Sequence, residues 1–156
     1  MYGVVSKNQI MDTVNYVCDI LGHGANNNAV SLLLETAKAE TQMGRTKDNT
    51  KFAGIGLTQF DKTGLDDVLN RVSFADRAII RDKMGIILEW VKWEDLRYNI
   101  LLAFLFTRLK YKKIPEPIPT TMEARAMYWK AHYNSTAGKG TVGHYLEANK
   151  SSLRKA

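Results

Sequence analysis

Along this chain the apolar residues recur at three- and four-residue spacing nearly everywhere, the period of α-helices that bury one stripe. Val14, Val17, Cys18 and Leu21 mark a first helix, which Ser6 and Gln9 open as a capping box and Gly22 stops. A polar turn from His23 to Asn28 leads into a second helix, N-capped by one of its asparagines and ending at Gly44. Thr63 to Val72 reads as a short helix, and Ser73 caps a longer one through about Trp90. The pattern then predicts the longest and most apolar helix, central and buried, from Trp93 to Ile114. Its main stripe is Leu96, Ile100, Ala103 and Leu109, widened by Leu101, Phe104 and Leu105. Pro115-Glu116-Pro117-Ile118-Pro119 removes donors at alternate positions and makes a rigid, extended connector. Thr120 with Glu123 opens a further helix carrying Tyr128 and Trp129. Asn134 to Gly140 form a loop, a final helix begins near Thr141, and the last six residues, Ser151 to Ala156, fray. No period-two alternation stands out, so the expected class is mostly α, with extended pieces confined to residues near 51–56.

One polar residue breaks this pattern. At about 100° per residue, Glu40 lies over Leu33, Thr36 and Ala37, flanked by Ala29, Val30, Leu32 and Met43. Glu35, Lys38 and Gln42 fall on the opposite face, where a surface helix carries its polar groups. A carboxyl at the edge of an apolar face loses solvation of its charged form, which raises its pKa and suits it to donate a proton near neutrality. Downstream, Gly54-Ile55-Gly56-Leu57-Thr58-Gln59 joins glycines that let a backbone approach a ligand to a side-chain amide that hydrogen-bonds hydroxyl or acetamido groups.

Length and composition narrow the setting. The 156 residues are expected to form one domain over 1–156, burying roughly two-thirds of the unfolded surface. With 45% hydrophobic and 24% charged residues, the chain is not of the disordered class. The balance of 22 basic against 16 acidic residues, net +6, favours a polyanion (nucleic acid, anionic membrane or cell-wall polymer) or else marks a solvated basic surface. A single cysteine, Cys18, allows no internal disulfide and reads as a buried thiol. The N-terminus has no secretory pattern, and the longest apolar run, Ile100 to Phe106, is too short to span a bilayer. The expectation is a product made in the cytoplasm, without membrane insertion.

Most other chemistries can be set aside. His23, His132 and His144 lack zinc-site spacing, so neither metal nor cofactor is expected. Gly54, Gly56 and Gly64 form no phosphate loop. The basic run Arg108 to Lys113 could track a phosphate backbone, but it equally complements a helix C-terminus.

Four segments in order, Glu40-Thr41, Gly54 to Phe60, Asp95 to Ile100 and His132 to Val142, resemble those of lytic transglycosylases and goose-type lysozymes. With Pro115 to Pro119 ahead of Tyr128 to Val142, the chain is similar to short endolysin-like proteins of tailed phages and prophages. The resemblance implies a lysozyme-like fold and cleavage of peptidoglycan, with Glu40 as catalytic acid and base and Thr41 where the family has serine. It places Leu57, Thr58, Gln59 and Phe60 along the sugar cleft, has Tyr133 hydrogen-bond or position the glutamate, has Asn134 hold the cleft and has Asn99 anchor its helix. Thr58 stands where the family has methionine, and Ser135-Thr136 interrupt the late loop. Two reaction types stay open. A transglycosylase needs one carboxyl; an inverting hydrolase needs a second, roughly 6.5–9.5 Å away, for which Asp61 is the first candidate, with Asp48 and Asp66 behind it. An aspartate just after a turn is also a common helix N-cap. The expected partner is the glycan strand, with no nucleic acid, and the expected state is a monomer that reaches the wall through a membrane pore or as part of a virion. The competing class is a non-catalytic module binding glycan or nucleic acid through its basic surface, whose affinity would fall steeply with salt.

Overall fold

A computed structural model of the chain describes residue 3 and residues 6–41, 54–134 and 140–153. Among these, seven α-helices follow one another: α1 (Lys7–Leu21), α2 (Asn28–Thr41), α3 (Lys62–Arg71), α4 (Phe74–Met84), α5 (Ile100–Lys112), α6 (Met122–Trp129) and α7 (Val142–Leu153). The mostly α class is what the structure has. The predicted end of the glutamate helix at Gly44, Gln42, Met43, Asp48 and the extended pieces before Gly54 lie outside the described residues, as do Ser135 and Thr136.

Local chemistry sets the helix boundaries. Ser6, Asp61, Ser73, Asn99 and Thr121 each accept a hydrogen bond from a backbone N–H three residues on, satisfying a donor that the first turn leaves orphaned. Three predicted boundaries are corrected by these caps and by one glycine. Gly85, with φ 69°, ends α4 at Met84, so the helix stops short of Trp90 although apolar spacing continues through Ile86 and Leu88. The helix predicted from Trp93 starts at Ile100, because Asn99 is extended and accepts from Leu102 N at 3.0 Å. The preceding Trp93–Leu96 is a separate 3-10 turn. At 13 residues α5 is shorter than α1, which has 15. The cap of α6 is Thr121 rather than Thr120, and α7 stays helical through Leu153, into the segment expected to fray.

α5 is the hub, packing against α1, α2 and α3, and most of its side chains are buried, with Lys112 exposed near its end. Phe104, Leu105, Phe106 and Leu109 are fully buried in it, and Cys18 on α1 is buried too. α2 contacts α1, α5 and α7, and α7 in turn packs on α6.

This arrangement overturns the expectation that Glu35 faces solvent. Glu35 is only 7% exposed. Arg125 donates from Nε and Nη2 to its two carboxylate oxygens at 2.8 Å each, and Tyr145 donates its hydroxyl at 2.6 Å. Asn149 Nδ2 donates to the Glu35 backbone oxygen at 3.2 Å. The face that periodicity marks as polar is covered by α6 and α7, which arrive 90 to 114 residues later carrying the groups that match it. A charge can be buried in this way when it is paired and its remaining lone pairs are satisfied.

No helix among the described residues is long and apolar enough to cross a membrane.

Candidate active site

Glu40 sits in the last turn of α2 and is half-buried. Its neighbour Thr41 is fully buried and donates its hydroxyl to Leu57 O at 2.6 Å, tying the end of α2 to the glycine-rich turn. That turn is closed by Ile55 and Phe60, which exchange backbone hydrogen bonds of 3.1 and 3.0 Å as an isolated antiparallel bridge. Gly56, at φ 78°, brings the turn against the backbone of Leu96, where a side chain would collide. Gln59 also has a positive φ, 49°, and donates from Nε2 to Gly56 O at 2.9 Å; its Oε1 has no hydrogen-bond partner among the described residues. Trp93 Nε1 pins the far side of the turn by donating to Phe60 O at 2.8 Å.

The third component comes from the end of α6. There the helix widens into a π-helical turn, Lys130–Asn134, which adds a residue to the turn and shifts the side chains that follow. Trp129, before the widening, donates its indole Nε1 to Glu40 Oε2 at 3.0 Å. Tyr133, within it, donates its hydroxyl to Thr58 O at 2.6 Å. The tyrosine that the resemblance assigns to the glutamate therefore spends its proton on the glycine-rich turn. Its ring stacks on Tyr111 at 5.3 Å and meets Phe60 edge-on at 6.2 Å. Burial first, then the nearby Glu40 charge, push its hydroxyl pKa well up, so Tyr133 is a neutral donor at any ordinary pH.

The structure thus brings together Glu40, Thr41, residues 55–60 and Tyr133. Several of these side chains do not face a ligand. Thr41, Leu57 and Thr58 are 0% exposed and Phe60 is 1%. Thr58, in the methionine position, accepts from Thr107 Oγ1 at 2.8 Å and so joins the turn to α5. Asp61 is exposed and caps α3, accepting from Gly64 N at 2.5 Å. Asp66 lies 4.0 Å from Lys62 on the surface of α3. Asn99 caps α5. Asn134 accepts from Lys130 Nζ at 2.9 Å, and Gly140 packs against both Asn134 and Trp129, where an added Cβ would fall 2.5 Å from Trp129 Cη2.

Two residues at the site escape a reading of the sequence. Trp129 belongs to the segment that carries the resemblance, yet only the folded register shows its contact with Glu40. Lys110 reads, in sequence, as part of a basic run. It is half-buried, donates to Tyr133 O at 3.4 Å and lies 4.5 Å from the Tyr133 ring centroid and 5.6 Å from that of Phe60. Burial lowers its pKa, against the pull of Asp61 and Glu40. A lysine on an apolar stripe is the signal that could have found it. Its neighbours are used internally as well: Arg108 Nε donates to Gly22 O at 3.0 Å and Lys112 pairs with Asp76 at 2.7 Å. No group of three histidine, cysteine or acidic side chains able to hold a metal ion occurs among the described residues.

The arrangement can move a proton: a half-buried carboxyl is held by a neutral donor beside a desolvated ammonium and an aromatic wall. The chain matches no family model, no curated protein and no solved structure to which it was compared.

Proposed function

We propose that this chain is a peptidoglycan-cleaving muramidase of lysozyme-like fold, a lytic transglycosylase acting on the β-1,4 bond between N-acetylmuramic acid and N-acetylglucosamine. One observation carries the reading. Three segments that resemble the family's motifs close on one another through three hydrogen bonds: Thr41 to Leu57 O, Tyr133 to Thr58 O and Trp129 to Glu40, over separations of 16, 75 and 89 residues. Sequence order alone does not require that convergence, and an acid/base site does.

In this mechanism protonated Glu40 gives its proton to the leaving glycosidic oxygen. As carboxylate it then takes the proton of the muramic C6 hydroxyl, which attacks the anomeric carbon and closes a 1,6-anhydro ring. No water is consumed. The role of Asp61 favours this one-carboxyl route over hydrolysis, because its Oδ1 is engaged in capping α3. The engagement of Arg108, Lys110 and Lys112 within the fold weighs against a module that tracks a polyanion through that run.

The test is incubation of the purified protein with purified sacculi. Release of soluble glycan fragments is expected, and none at any pH between 4 and 8 would overturn the reading, whatever the protein binds.

A further inference from the structure

The geometry points to Trp129 as the positioning residue of Glu40, in the place where the resemblance puts Tyr133. The inference rests on the proposed role of Glu40 as acid and base.

Indole is a donor only. Its hydrogen bond at 3.0 Å goes to Oε2. The same bond survives in both protonation states, which a residue that first donates and then accepts a proton requires. An arginine in that position would instead hold the group as an anion.

Trp129 is also held firmly enough to serve. It is 1% exposed, its ring lies 5.2 Å from that of Tyr145, and Gly140 closes over its edge. Tyr145 is itself fixed by its hydrogen bond to Glu35. Other groups that face Glu40 are Lys110 and Tyr111 on α5 and Tyr133. Asp61 at the start of α3 acts on Lys110, and His144 on α7 donates to Ala39 O at 2.6 Å. Trp129 is the neutral donor among them with a direct bond to the carboxylate.

The experiment follows the Trp129 indole N–H by NMR during a pH titration of the full chain, with Trp90 and Trp93 assigned by substitution. The expected result is a shift that tracks the Glu40 midpoint in the native protein and is absent in Glu40→Gln. In Trp129→Phe the Glu40 carboxyl, followed by its own carbon signal, should titrate about one pH unit higher, because a donor to the charged form is gone. On peptidoglycan kcat should fall roughly 10- to 100-fold with little change in KM. A flat indole signal across the Glu40 titration, or an unmoved Glu40 midpoint in folded Trp129→Phe, would overturn the assignment. If Trp129→Phe does not fold, the indole titration of the native protein decides alone. An indole that tracks Glu40 in a protein that leaves peptidoglycan intact would sustain the hydrogen bond and remove the proposed function.

Discussion

Glu35 and Glu40 leave the same helix within a turn and a half of each other, yet the fold treats them in opposite ways. Glu35 meets a guanidinium in a two-pronged ion pair and a tyrosine hydroxyl, all buried. Glu40 is half-buried and bonded to an uncharged indole. The two differ in burial and in the partners that the described residues supply. Glu35 is a structural ion pair, whose loss would leave a buried charge without its partner. Helical periodicity ranks the two by face and so misjudges Glu35, which is buried.

Four substitutions probe this contrast, in descending order of effect. Glu40→Gln removes the proton that the proposed reaction uses. Peptidoglycan clearance should fall by roughly 10²- to 10⁴-fold, while the melting temperature stays near that of the native chain. Near-native clearance by the folded variant would end the assignment. Glu35→Gln should do the reverse. It leaves the Arg125 charge buried without its partner, and chemical denaturation should show a loss of about 3–5 kcal/mol, with the molecules that remain folded still active. Native stability in that variant would mean that the pair is not buried in solution.

Tyr133→Phe deletes the hydroxyl donated to Thr58 O and should cost about 1 kcal/mol, measured by urea unfolding. The Glu40 midpoint should stay where it is, since the Tyr133 hydroxyl donates to Thr58 O and Trp129 donates to Glu40; a midpoint that moves as far as it does in Trp129→Phe would return the positioning role to the tyrosine. Asp61→Asn keeps a side chain that caps a helix nearly as well. It should cost well under about 1 kcal/mol and leave turnover unchanged, whereas loss of turnover with the fold intact would give Asp61 the second catalytic role.

The helices are legible in the sequence because their signals are local. Ser6, Ser73 and Asp61 announce caps, Gly22 announces an end, and apolar spacing marks the faces of α1 and α5. Glu40 stands out for the same reason, as a polar residue inside an apolar stripe. What stays hidden depends on contacts that cross the chain. The burial of Glu35 is set by Arg125, Tyr145 and Asn149, which no window of sequence around α2 contains. The π-helical widening at Lys130–Asn134 has no periodic signature, and neither has the register by which Trp129 donates to Glu40 and Tyr133 to Thr58 O. Thr58 looks like a cleft residue by its place in a motif, but its side chain is tied to Thr107 inside the core. A motif gives the order of the site's parts; it does not say which atoms of those parts face the substrate.

The measurement that bears most directly on the central claim is mass spectrometry of the muropeptides released from purified peptidoglycan in heavy-oxygen water. A single carboxyl working as acid and then base yields 1,6-anhydromuramic ends, one water lighter than hydrolysis products and free of solvent oxygen. Reducing-end muramic acid carrying one heavy oxygen would contradict the account, because water would then have been activated by a second group that it does not contain.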